Sequence, residues 1–173
     1  MKRPADDEYL PYYATYVKLV GDGDILDTLE SQIKETAAML RRIPDSRGTF
    51  RYADGKWSIN EVVGHLIDTE RVFSNRALRF ARGDKTPLPG FEQDDYVRAA
   101  EFDKYPLSEL IAEYEGVRRD TCSLYRHLSD EATTRRGTAN NAEVTVRALA
   151  YITAGHELHH RRVIEEKYRQ SRD

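Results

Sequence analysis

The sequence predicts an all-α protein, an up-and-down four-helix bundle with a long crossover after the second helix. Three observations support this fold class. Apolar residues recur at helical spacing over four long segments, and stretches of strand-like alternation are missing. The composition, 39% apolar and 33% charged, suits helices with one apolar face and a well-solvated outer face.

Two helices are predicted in the first half of the chain. Helix one covers about residues 24–42, where apolar residues recur at helical spacing until Pro44 ends the pattern. Helix two covers about residues 58–82. Ser58 and Glu61 give it the S-x-x-E pattern of a capping box, in which each side chain accepts a hydrogen bond from the other residue's backbone N–H. This start is therefore the best defined helix boundary in the sequence.

Two more helices are predicted in the second half. Helix three covers about residues 108–128 and helix four about residues 143–168, with a polar loop over residues 129–141 between them. The crossover, residues 83–106, is long for a connection in a compact helical protein. We therefore expect it to be functional or to contain a short helix.

The whole chain, residues 1–173, is interpreted as one domain, because its length suits one core and is short for two. The bundle covers about residues 24–168. Residues 1–20 form an irregular arm rich in tyrosine and proline. Four tyrosines of this arm are expected to pack against the bundle: Tyr9, Tyr12, Tyr13 and Tyr16.

Net charge, hydropathy and cysteine content limit which partners and which cellular location we expect. A net charge of −3 and a pI of about 6.0 give no reason to expect nucleic acid or an anionic membrane as partner. No apolar run approaches the roughly 18 residues of a membrane-spanning helix, and no apolar region follows the basic start. The single cysteine, Cys122, excludes an internal disulfide and is interpreted as a small core residue. We therefore expect a cytoplasmic protein with a small-molecule substrate.

The clearest functional signal is Gly-His-Glu-Leu-His-His at residues 155–160. His156 and His160 stand four residues apart and so share one face of a helix, where two imidazoles can hold one metal ion. At about 100° per residue both fall in the apolar sector of helix four. His159 falls at the edge of that sector, and we interpret it as a surface residue or a neighbour of the ligands.

Two ligands do not complete a site, because a catalytic metal usually has three protein ligands and an open position. His65 lies on helix two at the border of the apolar face. On spacing alone, a buried, hydrogen-bonded core histidine is the preferred interpretation of His65, and a metal ligand is the alternative. His127 falls near the end of helix three, where a helix-end role is the preferred interpretation.

Residues 156–160 also satisfy H-E-x-x-H, the pattern of zinc metalloproteases, with Glu157 as general base. The extended form of that pattern needs a glycine and a third histidine where this sequence has Val163 and Glu166. No edge strand for a peptide substrate is apparent. A metalloprotease is therefore only a minor alternative.

Three segments resemble the DinB/YfiT-like superfamily. Lys-Trp-Ser-Ile-Asn-Glu-Val-Val-Gly-His-Leu at residues 56–66 looks like its W-S-x-x-E-x-x-x-H-L opening. Residues 155–160 resemble its closing G-H-x-x-H-H, and Phe-Glu-Gln-Asp-Asp-Tyr at residues 91–96 is similar to its acidic segment after helix two. The resemblance covers roughly residues 25–168. The opening and closing motifs are fairly specific together and weak apart.

The resemblance implies a four-helix bundle and a metal ion bound by His65, His156 and His160. It also implies a divalent cation, zinc or nickel first and iron or manganese next, and a homodimer. Relatives of this kind include thiol-dependent transferases and isomerases that use bacillithiol, mycothiol or glutathione, and proteins described as metal-dependent hydrolases. A low-molecular-weight thiol is therefore a candidate co-substrate.

These observations favour a metal-dependent enzyme, either a thiol S-transferase or a hydrolase. Because few acid–base residues accompany the histidines, a non-catalytic metal-stabilised module or small-ligand sensor stays an alternative.

Four other side chains have two possible interpretations each. Glu70 is a neighbour of the ligands or, preferably, part of a buried salt bridge with Arg76 or an arginine of another helix. Arg76 holds an anionic substrate or pairs structurally, and Asp94 and Asp95 line the site or cap a helix.

Overall fold

Four long helices make up the body of the computed structural model, which describes residues 1–168. The helices and strands are α1 (Ala14–Val17), α2 (Ile25–Leu40), α3 (Ile59–Ala81), α4 (Gln93–Ala100), α5 (Leu107–Arg126), α6 (Asp130–Thr133), β1 (Arg136–Ala139), β2 (Ala142–Thr145) and α7 (Val146–Val163). A π-helical turn, Ile164–Tyr168, extends α7. The predicted four-helix bundle is confirmed by α2, α3, α5 and α7. Of the predicted domain, residues 169–173 lie outside the described part.

The order of the helices around the bundle is α2, α5, α3, α7. Both α2 and α3 pack mainly against α5 and α7, so consecutive helices α2 and α3 lie across a diagonal. This arrangement places α3 directly beside α7, the two helices that carry the histidines. None of the helices within residues 1–168 is long and apolar enough to span a membrane.

The helix starts follow the local sequence signals. In α3, the Ser58 Oγ atom accepts a hydrogen bond from the Glu61 N–H at 3.0 Å, and the Glu61 carboxylate accepts one from the Ser58 N–H at 2.7 Å. The predicted capping box is therefore present. Asp24 caps α2 by accepting from the Leu26 N–H at 2.7 Å. The crossover contains α4, one of the two outcomes expected for it.

The polar loop and the start of helix four were predicted wrongly. A hairpin of β1 and β2 occupies this region, and α7 begins only at Val146. Asn140 and Asn141 form its two-residue turn with φ of 52° and 62°. Positive φ at both positions is what a tight hairpin turn requires, and asparagine tolerates it better than most residues. With only four residues per strand, the alternation is too short to stand out in the sequence.

The hairpin fixes the crossover beside α3. Leu88 of the crossover donates its N–H to the Thr138 carbonyl at 2.9 Å and accepts from the Asn140 N–H at 3.0 Å. A Cβ atom added at Gly137 would lie 2.0 Å from the Phe80 ring, so the strand passes directly over α3. The crossover therefore has a fixed path where it approaches the histidines.

The arm lies against α7. Within it, α1 packs along α7, and a Cβ atom at Gly155 would lie 2.0 Å from the Tyr16 carbonyl oxygen. Glycine at this position lets the two backbones touch. Because Gly155 precedes His156, the arm is docked at the level of the histidine cluster.

A polar layer divides the core into two apolar clusters. One cluster includes Leu29, Phe73, Cys122 and Ala154, and the other includes Ala37, Ile67, Tyr114 and Ile164. Between them, every long helix contributes buried polar side chains: Gln32, Thr36, Glu70, Arg118 and Glu157. The candidate site lies beside this layer.

Candidate metal centre

The three predicted histidines converge on one point between α3 and α7. His65 Nε2 lies 3.0 Å from His156 Nε2, and His160 Nε2 lies 3.1 Å from the same atom. All three ligand atoms lie within 4.8 Å of one another. His65 and His156 are buried and His160 is half-buried.

The chemistry of this donor set fits a divalent cation. A neutral Nε2 carries either one proton or one lone pair, so the central His156 Nε2 cannot make a full hydrogen bond to both neighbours. Burial lowers the pKa of His65 to about 4 and of His160 to about 3. Burial, reinforced by the neighbouring histidines, also holds the pKa of His156 well below its ordinary range. The imidazoles are therefore neutral at pH 7, the form that binds metal.

The spacing of the nitrogens supports the same conclusion. Tetrahedral zinc with bonds of about 2.0–2.1 Å places two ligand nitrogens about 3.3 Å apart. The two short separations in the cluster, 3.0 and 3.1 Å, are close to that value. Imidazole ligands suit zinc, nickel and iron, so the geometry does not select among these ions.

Neighbouring side chains orient the rings. Thr69 Oγ1, one helical turn after His65, lies 3.4 Å from its Nδ1. The Trp57 ring lies 4.8 Å from the His65 ring, and the Tyr16 ring meets the His156 ring edge-on at 5.4 Å. A partner on Nδ1 directs the lone pair of the other nitrogen toward a metal.

The other histidines and the cysteine lie outside the cluster. His159 is exposed and contacts the Tyr16 ring, as its position at the edge of the apolar sector predicts. His127 follows the last turn of α5, with Nδ1 2.7 Å from the Ser123 carbonyl oxygen. Cys122 is buried in the core, and burial raises the pKa of its thiol to about 11. A reactive thiolate is therefore not favoured there.

The carboxylate of Glu157 faces away from the histidine cluster. It is 1% exposed, accepts a hydrogen bond from Thr36 Oγ1 at 2.5 Å, and forms an ion pair with Arg118 at 2.6 Å. A metalloprotease would need this carboxylate beside the metal and its water. Glu157 of the H-E-x-x-H pattern therefore belongs to a buried ion pair with Arg118 and is not placed to act as the general base of a metalloprotease.

Arg118 joins the two helices that carry the histidines. Its Nε and Nη2 atoms donate to both oxygens of Glu70, at 2.7 and 2.9 Å, and its Nη1 donates to Gln32 at 2.8 Å. The predicted buried salt bridge of Glu70 therefore exists, with an arginine of another helix and not with Arg76. Sequence reasoning did not single out Arg118, although it falls at helical spacing between the core residues Tyr114 and Cys122.

A cavity of about 260 Å³ opens over His65 and His156. Its wall combines the arm, α3, the crossover and the hairpin turn. The remaining lining residues are Tyr12, Tyr13, Tyr16, Thr69, Phe73, Arg76, Gly90, Phe91, Glu92, Gln93, Asp94 and Asn140. Sequence reasoning missed the arm and the turn as parts of this wall, because nothing in those segments indicates which helix they contact. Asp94 lines the cavity, whereas Asp95 pairs with Arg98 at 2.7 Å.

Comparison with known proteins relates this fold and cluster to one family. A family model described as the DinB superfamily matches residues 28–164. A curated protein of Oceanobacillus iheyensis, named "putative metal-dependent hydrolase", is 26% identical over 137 residues. This alignment covers 78% of the present chain and 76% of that protein.

Two solved structures share the fold. YfiT from Bacillus subtilis, described as a probable metal-dependent hydrolase with an unusual four-helix bundle topology, has a TM-score of 0.69 at 18% identity, covering 98% of this chain and 93% of its own. The mycothiol-dependent maleylpyruvate isomerase has a TM-score of 0.68 at 13% identity. The match covers 84% of the present chain but only 61% of the isomerase. At these identities the likeness concerns the fold.

Proposed function

Because this chain belongs to the DinB superfamily, we propose that it is a metal-dependent enzyme for a small molecule, with a divalent ion held by His65, His156 and His160. The observation that carries the proposal is the convergence of three neutral Nε2 atoms beside a cavity. Structural zinc sites use four protein ligands and are closed. Three protein ligands, of which His65 and His156 line a cavity, suit a site that binds substrate.

A divalent ion held by His65, His156 and His160 would supply a Lewis acid, which could serve either hydrolysis or the activation of a thiol. The protein side chains orient the histidine rings and restrict the access of water to them. Thr69 and Trp57 fix the His65 ring, and Tyr16 covers one side of His156. Restricting water in this way strengthens electrostatic interactions at the site.

The names of the relatives support two reactions. Hydrolysis agrees with the descriptions of the Oceanobacillus and Bacillus proteins, and thiol-dependent chemistry agrees with that of the isomerase. Both reactions would use the same three histidine ligands, so the proposal includes both.

A second candidate is a non-catalytic sensor of a small ligand. One observation favours it: among residues 1–168, the group of side chains able to hold a metal consists of three histidines and includes no carboxylate. Metal-dependent turnover of any ester, or of any pair of thiol and electrophile, would exclude this candidate.

The metal assignment is tested by measuring the metal content of purified protein by mass spectrometry. Wild type should contain about one ion per chain. His156→Ala should lose it, because the central ligand is removed. His159→Ala is the matched control, since this neighbouring histidine is exposed, and it should keep the ion. Full occupancy in His156→Ala would overturn the assignment.

Two expectations from the sequence stay predictions. A homodimer and a cytoplasmic location are compatible with the family and with a single cysteine. Sedimentation at several protein concentrations would test the first, and fractionation of the producing cells the second.

A further inference from the structure

Arg76 is a buried cation that has no carboxylate partner among residues 1–168. It is 5% exposed, and the structure records a single hydrogen bond from it, from Nη2 to the Pro89 carbonyl oxygen at 2.7 Å. Within the described part of the chain it forms no ion pair. Arg118, the other buried arginine, contacts both Glu70 and Glu157. A desolvated guanidinium with unused N–H groups is costly unless something binds it.

Burial lowers the pKa of the Arg76 guanidinium, although Tyr13 and Tyr96 act to raise it. Such a lowering indicates that the lost hydration of the cation is not compensated by a nearby anion.

Arg76 lines the cavity that contains the histidines. It follows His65 by eleven residues, three helical turns, and so lies on the same stripe of α3. The Phe73 ring centroid lies 6.3 Å from the His156 ring centroid and 5.9 Å from Arg76 Cζ. The guanidinium therefore lies at most about 12 Å from the His156 ring, within the span of one small molecule.

The guanidinium is held in place by its surroundings. The Phe73 ring of α3 and the Phe91 ring of the crossover lie 5.9 and 6.0 Å from Arg76 Cζ, and both residues line the cavity. The Pro89 carbonyl that accepts its hydrogen bond follows Leu88, which pairs with the hairpin. A fixed guanidinium with free donors is suited to bind a carboxylate in a fork geometry.

The rim of the cavity limits the charge of the ligand. Glu92 and Asp94 also line it. These two carboxylates form no ion pair with Arg76, and as like charges on the cavity wall they repel an anion of two charges more than an anion of one.

We infer that Arg76 is the anion-binding end of the substrate site and that it selects a small monocarboxylate. The carboxylate lies on the guanidinium, and the reacting end of the molecule points to the three histidines. The direction of the molecule rests on the proposed function, whereas the anion site stands on the environment of Arg76. Of the two interpretations of Arg76, the inference adopts ligand binding.

The test is direct binding by calorimetry, with hexanoate, hexanamide and inorganic phosphate as probes. Each probe is titrated into the protein as purified and after removal of metal by a chelator. Metal-stripped wild type should bind hexanoate, since the guanidinium does not depend on the metal. Arg76→Gln should weaken this binding about tenfold to a hundredfold, the range for a charged hydrogen bond. Arg76→Lys should fall between, because it keeps the charge but not the fork.

Arg71→Gln is the matched control on the same helix. Arg71 pairs with Glu113 at 2.7 Å on the surface, so its loss should leave hexanoate binding unchanged. Hexanamide should bind equally weakly to wild type and Arg76→Gln. If Arg76→Gln does not fold, the Arg76 Nε–H resonance of wild type should still shift on adding hexanoate.

Three results would overturn the inference: unchanged hexanoate affinity in Arg76→Gln, an Arg76 resonance that does not move, or tighter binding of phosphate than of hexanoate. Failure of the proposed function has a different signature. In that case the protein would hold no metal at His156, while hexanoate binding in the stripped protein would still depend on Arg76.

Discussion

Replacing Arg118 by methionine is expected to lower the free energy of unfolding by about 3 to 5 kcal/mol. Methionine fills most of the same volume, but it leaves the carboxylates of Glu70 and Glu157 buried without their cation. Both are at most 4% exposed, so water cannot replace the guanidinium without opening the core.

The contacts of Arg118 set the size of this effect. Its guanidinium makes two hydrogen bonds to Glu70, an ion pair with Glu157 at 2.6 Å and a hydrogen bond to Gln32 at 2.8 Å. Removing one member of a buried pair costs about 3 to 5 kcal/mol, mainly because an uncompensated charge remains. For a protein of this size, about 2 to 4 °C of Tm per kcal/mol corresponds to a fall of roughly 6 to 20 °C.

The assay is denaturant unfolding of wild type and variants at neutral pH, in the presence of a chelator so that metal binding does not contribute. Arg119→Met is the matched control, because Arg119 is exposed and pairs with Glu115 at 3.1 Å on the surface. Its cost should stay within about 0.5 kcal/mol.

A triple variant separates charge from packing. Combining Arg118→Met with Glu70→Gln and Glu157→Gln removes the unpaired charges, so we expect it to recover at least half of the lost stability. If Arg118→Met alone costs less than about 1 kcal/mol, or if the triple variant is less stable than the single one, the account of the polar layer is wrong.

Two further predictions concern the arm. In Gly155→Ala the new Cβ would lie 2.0 Å from the Tyr16 carbonyl oxygen, so the arm should shift and be cleaved faster in limited proteolysis; wild-type cleavage rates would contradict the close approach. Although burial raises it, hydrogen bonds from Arg147, Ala5 and Thr145 lower the pKa of Glu8 from 4.5 to about 2. Its stabilisation is therefore present above pH 4.5 and lost as pH falls toward 2. The difference in stability between wild type and Glu8→Gln should shrink in that window, and an equal difference at pH 3 and pH 7 would speak against it.

Local signals explain which parts of the fold were predictable. The capping box of Ser58 and Glu61 fixes the start of α3 through residues three positions apart. His156 and His160 share a face through one helical turn, so the helix period alone brings them together. These features depend only on residue spacing within one helix. They therefore form whichever way the neighbouring helices are arranged.

Other parts depend on contacts between distant segments. Whether His65 meets His156 is decided by α3 lying beside α7, which no local pattern reveals and which only the family resemblance indicated. For the same reason, the sequence does not identify which arginine pairs with Glu70, since Arg118 belongs to another helix. The hairpin was missed because its signal is the two asparagines Asn140 and Asn141, in a segment that reads as a polar loop.

The separation of His65 and His156 by 91 residues has a consequence for the order of events during synthesis. At about 5 to 20 residues per second, His65 leaves the ribosome roughly 5 to 18 seconds before His156 does. During that interval His65 is the one member of the three-histidine cluster that has left the ribosome. The three-histidine site therefore forms only when α7 has docked beside α3, which would tie full coordination of an ion to completion of the bundle.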